Sequence, residues 1–166
     1  TWSYIYIYIT NFSFFFFLSN IYTHQYNILH TGYPTVTVES METSDEGLIV
    51  SLKQSGFKEH VEDERYPWII PLDYAIVVNG KNIVTGLHIL QTEEENLNIP
   101  IEGLEEGKFI FSIGRDWSFF GSVDMKCSTS EMKIQQALND TDPVNRYLAF
   151  RSIVDEVKGT IISNLV

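Results

Sequence analysis

An Asn79-Gly80 dipeptide between two apolar runs is the feature that most constrains how this chain can fold. From Trp68 to Val78 every second residue is apolar, and a second apolar run follows Gly80. Asn-Gly is strongly preferred in two-residue hairpin loops, because both loop positions need a positive φ. The stretch 66–91 therefore predicts a β-hairpin with the apolar rows of both strands on one face. The predicted cross-strand pairs are Ile76–Ile83, Leu72–Leu87 and Ile70–Ile89.

Shorter alternating runs on both sides of the hairpin extend this pattern. Their apolar residues are Val36 and Val38; Leu48, Val50 and Leu52; Leu97, Ile99 and Ile101; Phe109, Phe111 and Ile113; and Trp117, Phe119, Val123 and Met125. Polar turns are predicted at 39–46, 93–95 and 103–107, a surface loop at 55–65, and a bulge or bend at Gly121. About seven short strands without a helical period predict a mainly β chain that folds as an antiparallel, Ig-like β-sandwich. Pro71 lies inside a run, so it belongs at an edge or with its nitrogen facing away from a neighbour.

From Ser128 onward the apolar period changes from 2 to 3.6, which predicts two or more α-helices after the strands. The segment from Ser128 to Glu131 has the pattern of a capping box, with Ser128 as N-cap. A second helix is predicted to start at Asp142 as N-cap with Pro143 in its first turn, and to run to about Gly159 or beyond it. Two helices cannot enclose a core, so their apolar faces must dock on the sandwich or on other sequence. The apolar rows are Ile134 and Leu138, and then Val144, Tyr147, Leu148, Arg151, Val154 and Val157 at 3–4 spacing.

The first thirty residues differ in composition from the rest. All 33 charged residues lie at or after Glu39, and Phe, Tyr, Ile and Asn make up 18 of residues 1–30. One interpretation is a membrane helix over 2–22, although alternating aromatic and β-branched residues favour strands. A second is a signal peptide, which would lack its positive start and its cleavage site. A third is non-native sequence translated from an A/T-rich intron or gap.

These patterns divide the chain into three parts. Residues 1–30 form an aromatic and Ile-rich segment, 31–127 a β-sandwich domain, and 128–166 the start of a helical domain. The sequence begins with Thr1 rather than Met. Together with the unpaired helices, this start predicts a fragment of a longer protein.

Charge and cysteine content exclude several classes of function. A net charge of −11 argues against a nucleic-acid surface and against a polybasic membrane patch. Cys127 is the single cysteine, so the chain holds no internal disulfide and no Cys-based zinc site.

The residue pattern predicts no catalytic, cofactor-binding or metal-binding site in this chain. There is no His-Glu-x-x-His, no Gly-rich phosphate loop and no nucleophile elbow. Ser118 and Ser122 have no histidine nearby in sequence to serve as a base. The acidic clusters at 62–64, 93–95 and 105–106 lack the spacing of a calcium loop, so they are interpreted as solvated turns. The histidines lack metal-ligand spacing, and His88 is interpreted as a surface imidazole; the others are His24, His30 and His60.

Several segments, in order, resemble the alanyl aminopeptidase (aminopeptidase N) family of zinc metallopeptidases. Gly32 to Val38 is similar to a Gly-x-Pro-x-Val-x-Val strand, Ile70-Pro71-Leu72 to an Ile-Pro-Leu strand, and Phe109 to Phe111 to a Phe-Val-Phe strand. Arg115 to Val123 resembles Arg-Gly-Phe-Ser-Ala-Pro-Val but is two residues longer. Asp142 to Ala149, DPVNRYLA, resembles Asp-Pro-Phe-Asn-Arg-Trp-Glu-Ala and is the most specific segment. The resemblance covers about residues 31–155, and residues 1–30 match nothing in the family.

The resemblance implies the β-sandwich that follows the catalytic domain of such an enzyme, joined to the opening of its helical domain. The family's zinc ligands and glutamate base lie in the catalytic domain, so no catalytic residue is carried over. Zinc is expected in that missing domain, and peptides are expected as substrates of the parent enzyme. The expected partners are the parent's own catalytic and helical domains, with no nucleic acid and no membrane. The cytoplasm is the expected compartment if residues 1–30 are not a membrane segment.

Two other hypotheses remain open from the sequence. One is a free-standing β-sandwich binding module, tethered to a membrane through residues 2–22. The other is a divergent, inactive paralogue that serves as a scaffold.

Overall fold

The computed structural model describes residues 33–44, 46–56, 67–105 and 107–163, and within them seven strands precede two helices. This confirms the predicted mainly β fold with a helical end. Residues 1–30 and the loop residues 57–66 lie outside the described residues, together with His24, His30 and His60. The strands are β1 (Pro34–Ser44), β2 (Gly47–Gly56), β3 (Ile70–Val78), β4 (Lys81–Leu90), β5 (Glu94–Pro100), β6 (Ile110–Ile113) and β7 (Ser122–Met125).

The strands form two sheets that pack face to face. One sheet has the order β5-β2-β1-β7 and the other the order β4-β3-β6. Both contribute fully buried aliphatic side chains to one core, because alternate residues of each strand point inward. These include Val36, Val38, Leu48, Val50, Leu52, Ile70, Leu72, Ile76, Leu90 and Ile99.

The sequence predicted an antiparallel sandwich, but one strand pair is parallel. β7 pairs with β1 in parallel, with Val36 opposite Val123. β7 is also shorter than expected, because Trp117 lies in a 3₁₀ turn (Arg115–Trp117) and is 75% exposed. That turn, entered through Gly114 at φ 68°, replaces the first half of the predicted strand.

The first strand is longer than predicted. β1 continues through most of the expected polar turn to Ser44, with a register shift between Val38 and Ser40. Pairing with β2 supplies the hydrogen bonds that hold these polar residues extended. β5 likewise begins at Glu94, inside the turn predicted at 93–95.

The hairpin exists, but its predicted register is wrong over most of its length. Val78 pairs with Lys81 and Val77 with Asn82, as a two-residue Asn79-Gly80 loop requires. A register shift then follows, so Ile76 pairs with Val84 instead of Ile83. Because a one-residue shift moves every later side chain to the other face, Ile83 and Leu87 are 51% and 48% exposed. The predicted pairs Leu72–Leu87 and Ile70–Ile89 are replaced by Leu72–His88 and Ile70–Leu90.

The shifted register fits a glycine of β4. Gly86 pairs with Tyr74, and a Cβ on Gly86 would lie 2.5 Å from the Tyr74 hydroxyl oxygen. The Tyr74 ring therefore occupies the space that a side chain at position 86 would need.

The same shift turns His88 toward the core side of its sheet, which corrects its interpretation as a surface residue. The imidazole is 17% exposed, and its Nε2 lies 3.4 Å from Glu95 Oε1. His88 lies opposite the fully buried Leu72.

Pro71 is not on an edge strand, which is one of the two places that the sequence predicted for it. It lies in β3, the middle strand of its sheet, and is opposite Ile89 of β4. β6 pairs only with Tyr74 to Val77, so Pro71 removes no hydrogen bond from the β3–β6 ladder.

The two helices follow the last strand closely. They are α1 (Ser130–Asn139) and α2 (Pro143–Ser163). The N-cap of α1 is Thr129, whose hydroxyl accepts from the Met132 N–H at 3.2 Å, so the predicted N-cap Ser128 is wrong by one residue. Asp142 caps α2 as predicted, and α2 continues beyond Gly159. In the part of the chain that the structure describes, neither helix is long and apolar enough to cross a membrane.

Candidate functional site

A cluster of buried, hydrogen-bonded polar side chains lies where the helices meet the outer face of the three-stranded sheet. We call it the joint and define it by the side chains of Ser112, Arg115, Asp140, Thr141, Asp142 and Asn145, together with the backbone of Asp116. Five of these seven residues are buried, with only Asp116 and Thr141 exposed. A buried polar group is costly unless it is hydrogen-bonded, so the partners of each member matter.

Arg115 is the cation of the joint. Its guanidinium is 11% exposed and donates from Nη1 to Ser112 Oγ at 2.8 Å and to Asp140 Oδ1 at 3.2 Å. Nη2 donates to Thr141 Oγ1 at 3.0 Å. The planar guanidinium can serve three acceptors at fixed angles, which a lysine ammonium could not do in the same way. One side chain therefore links the end of β6 to the segment between the two helices.

Asp140 is the buried anion that balances Arg115. Its side chain is fully buried, and besides Arg115 it accepts from the Asp142 N–H at 2.9 Å and from Gln136 Nε2 at 3.1 Å. Several donors to one carboxylate offset the free energy lost when it leaves water. Asp140 thus fixes the turn between α1 and α2.

Asp142 joins the start of α2 to the 3₁₀ turn. Its Oδ1 accepts from the Asn145 N–H at 2.8 Å, which is the N-cap bond that the sequence predicted. Its Oδ2 accepts from the Asp116 N–H at 3.2 Å. The cap of the helix is therefore also a contact with the sandwich.

Asn145 provides the second link between α2 and the sheet. Its Nδ2 donates to Ser112 Oγ at 2.9 Å and to the carbonyl oxygen of Ile113 at 3.1 Å. Its backbone N–H is held by Asp142 in the cap of the same helix, so the side chain of Asn145 is what ties the first turn of α2 to β6. Ala149, one turn later, is also buried and small enough to let α2 lie close.

The 3₁₀ turn carries backbone strain beside the joint. Asp116 and Trp117 have φ values of 52° and 55°, in the left-handed region that costs a non-glycine residue about 1–2 kcal/mol. The Asp116 N–H bond to Asp142 helps to hold this conformation. The strained turn places the Trp117 indole in solvent.

One carboxyl next to the joint is electrostatically perturbed. Burial raises the pKa of Asp73, the nearby Asp116 carboxylate raises that pKa further, and Arg115 lowers it. The Asp73 backbone N–H donates to Ser118 Oγ at 3.2 Å. Burial also raises the pKa of the Cys127 thiol, which favours its protonated, unreactive form.

The described residues do not assemble a nucleophile, a base and an oxyanion donor. Ser118 interacts with the Asp73 backbone, and Ser122 Oγ lies 2.9 Å from Thr35 Oγ1. No three His, Cys, Asp or Glu side chains within 33–44, 46–56, 67–105 and 107–163 are grouped to hold a metal ion. A groove of about 570 Å³ between α1 and the loop after β5 is lined by apolar, amide and charged side chains, without Ser, Thr, Cys or His.

Sequence reasoning identified parts of the joint without its geometry. Asp142 was predicted as a helix cap, and Arg115 and Asn145 only as parts of two resembling segments. Asp140 and Ser112 were missed. The available signal was the acidic pair Asp140 and Asp142 around Thr141 at a helix start, which needs a cation once it is buried.

The comparisons with known proteins concern the fold. No protein-family model and no curated protein matches the chain. Among solved structures, it is similar to the crystal structure of Legionella pneumophila aminopeptidase A in complex with aspartic acid, with 19% identity and a TM-score of 0.62. The match covers 80% of this chain but 15% of that chain. The described chain therefore shares the fold of one segment of an aminopeptidase.

Proposed function

We propose that this chain is the non-catalytic connecting domain of a zinc aminopeptidase of the alanyl aminopeptidase family, which removes N-terminal residues from peptides. The observation that carries the proposal is the shared fold with a segment of Legionella pneumophila aminopeptidase A, at a TM-score of 0.62 over 80% of this chain. The match spans 15% of that enzyme, and under the proposal the catalytic machinery of the parent lies in the rest of the protein.

The arrangement of the joint supports a connecting role. Two of the segments that resemble the family are rich in polar residues, Arg115 to Ser118 and Asp142 to Ala149. They meet at the joint through the hydrogen bond from the Asp116 N–H to Asp142. These contacts fix the direction in which α2 leaves the sandwich. Surfaces between domains of one chain are commonly modest and partly polar, as this one is. The domain would hold a helical domain in a defined orientation toward the catalytic domain.

The proposal places zinc and the peptide site elsewhere in the parent protein. The described residues offer no group of ligands for zinc, so no step of peptide hydrolysis is assigned to them. What this chain contributes is position, through the rigid sandwich and the joint.

Sequencing the transcript across and beyond the codons for residues 1–37 tests the proposal. We expect an upstream segment that encodes His-Glu-x-x-His and a downstream run of helical repeats. A transcript with a start codon near Thr1, a stop codon after Val166 and neither segment would overturn the proposal. Recovery of that short product in membranes through residues 2–22 would favour the tethered binding module instead.

An assay of the 166-residue chain tests the absence of catalysis directly. We expect no stoichiometric zinc binding and no hydrolysis of aminoacyl-arylamides. Zinc-dependent turnover that is lost on chelation and regained with added zinc would contradict the assignment of a non-catalytic domain.

A further inference from the structure

β4 is an edge strand that lacks most of the features that keep such edges from pairing. Among the described residues it pairs only with β3, and it is 10 residues long. A free edge presents unpaired N–H and C=O groups, so natural edges are short or carry charges, Pro or a bulge. β4 has a bulge at Ile83, close to the hairpin loop, but no Pro and a single charged residue, Lys81, at its first position.

The other sheet edges in the described part of the chain are protected. These edges are β5 and β7 in one sheet and β6 in the other. β6 and β7 are only 4 residues long. β5 carries Glu94 and Glu95 at its start and Pro100 at its end. By this comparison β4 is the described edge that is open to a further strand.

The regular part of β4 begins after the bulge and is centred on Leu87. It covers 84–90, where each residue has a partner in β3. On the outer face of the sheet it presents Thr85, Leu87 and Ile89; Leu87 is 48% exposed, Thr85 is exposed and Ile89 is partly buried. The stretch contains no Asp, Glu, Lys or Arg, whereas the chain has a net charge of −11. Two acidic molecules can therefore approach each other here with little local repulsion.

The residue order of this stretch is self-complementary. Antiparallel pairing with a two-fold axis at Leu87 would bring the Leu87 side chains of two copies together. It would also set Thr85 of each copy opposite Ile89 of the other, and Gly86 opposite His88. Each His88 side chain would then face a position without a side chain, and none of these pairs opposes like charges, which would be destabilising.

The charges at the two ends of the strand favour the same arrangement. In this register Lys81 of each copy lies level with Glu93 of the other. Lys81 is exposed and has no ion-pair partner in the part of the chain that the structure describes. The Glu93 side chain is 59% exposed and its carboxylate lies 3.9 Å from Lys53, a contact that contributes little. The pairing would thus place opposite charges together twice, which helps to fix the register.

We propose that β4 pairs with β4 of a second copy of this chain, antiparallel about Leu87, so that two three-stranded sheets form one continuous sheet. The proposal does not depend on the aminopeptidase assignment, since it rests on the length, register and charges of β4. One strand edge against its copy is a small interface, because stable complexes commonly bury about 1,200 Å² or more. We therefore expect a weak dimer that forms as the protein concentration rises.

Sedimentation velocity of the complete 166-residue chain, from about 1 μM to about 1 mM, tests the proposal. We expect a monomer–dimer equilibrium without larger species, because a two-fold pair occupies both β4 edges. Leu87→Lys places like charges opposite each other at the axis and should raise the dimer Kd at least about tenfold. Val157→Lys is the matched control, since Val157 is 54% exposed on α2; it should leave the Kd unchanged.

Two double variants test the register. Thr85→Glu/Ile89→Lys places opposite charges across the proposed interface at two positions, whereas Thr85→Lys/Ile89→Lys places like charges there. We expect the first variant to dimerise at least about tenfold more tightly than the second. The second variant has the smaller net negative charge, so general repulsion between acidic chains would give the opposite order.

Several results would overturn the proposal. Circular dichroism first checks that each variant keeps its strands and helices. A monomer over the whole concentration range would exclude the dimer. A dimer that Leu87→Lys leaves intact would use another surface, and open-ended larger oligomers would show that β4 pairs with a different edge. Equal Kd values for the two double variants would exclude the register about Leu87.

Discussion

The sandwich core and the joint hold this molecule together by opposite means. The core between the sheets is built from aliphatic side chains such as Leu72 and Ile76, which are fully buried and make no polar contacts. The joint buries charge, and Arg115, Asp140 and Asn145 have specific partners within 3.2 Å. The core lies on the inner face of the three-stranded sheet, and the joint lies on its outer face.

The difference teaches what each interface can specify. Apolar burial stabilises in proportion to area, about 25 cal/mol per Å², and has no direction. A buried ion pair adds little net stability, yet removing one partner is costly because the other charge stays behind. The core therefore supplies most of the folding free energy, and the joint sets the angle of α2.

The largest effect is expected from Arg115→Ala. This change leaves the carboxylate of Asp140, which is fully buried, without its cation, and a broken buried pair costs about 3–5 kcal/mol. Urea-induced unfolding followed by circular dichroism measures the loss. Arg151→Ala is the matched control, because Arg151 is 66% exposed and lies 3.8 Å from its partner Asp155; we expect less than about 1 kcal/mol there.

Hydrogen exchange on the Arg115→Ala variant sharpens the comparison. If the joint sets the position of α2, the backbone amides of that helix after Pro143 should lose protection before those of the sandwich strands. Equal loss across both regions would mean that the joint is part of the core's cooperative unit and has no separate role.

Leu72→Ala tests the core side of the comparison. Leu72 is fully buried, and truncation of such a leucine costs about 2–5 kcal/mol through lost burial and a cavity. Leu87→Ala, in the paired strand at 48% exposure, should cost less than about 1 kcal/mol. Equal costs at both positions would restore the sequence-based register in which these two leucines share a face.

That register shows where sequence reasoning fails on this fold. The Asn79-Gly80 loop and the alternation in β3 were predictable, because turn chemistry and period are local signals. The register shift between Ile76 and Val77 was not predictable, since Ile83, Leu87 and Ile89 form an apolar row that alternates as well as the correct one. In the observed register Tyr74 packs over Gly86, a contact that depends on the three-dimensional pairing and leaves no period in the sequence.

The joint was less predictable than the core for a related reason. Asp142-Pro143 marks a helix start through local chemistry alone, so its role as a cap could be inferred. The ion pair between Arg115 and Asp140 joins residues 25 positions apart, and no local sequence pattern predicts it. Polar contacts between distant elements are specified by geometry that only the folded chain supplies.

Asn145→Ala tests the neutral part of the joint. The change removes two hydrogen bonds, from Asn145 Nδ2 to Ser112 Oγ and to the Ile113 carbonyl oxygen, and leaves the buried carbonyl without that donor. We expect a loss of about 1–3 kcal/mol in urea unfolding. Asn139→Ala is the control, because the Asn139 side chain bonds only its exposed neighbour Gln135 within the described residues. A loss no larger than that of the control would show that Arg115 and Asp142 suffice to dock α2.

The smallest effect is expected from Asp73→Asn, and it should depend on pH. Burial and the Asp116 carboxylate raise the pKa of Asp73 in the folded chain, so the folded state holds this proton more tightly than the unfolded state. The stabilising contribution of the protonated carboxyl is complete below the unfolded pKa of about 3.9 and is lost as pH rises through the higher folded pKa. At pH 7 Asp73→Asn should therefore stabilise the chain, by less than about 1 kcal/mol because solvent screens this half-buried group, and at pH 3 it should have almost no effect. Urea unfolding of both proteins at the two pH values measures this difference.

In the Arg115→Ala background the gain in stability from Asp73→Asn at pH 7 should increase, since Arg115 is the charge that lowers the pKa of Asp73. An unchanged gain would mean that the joint does not act on Asp73.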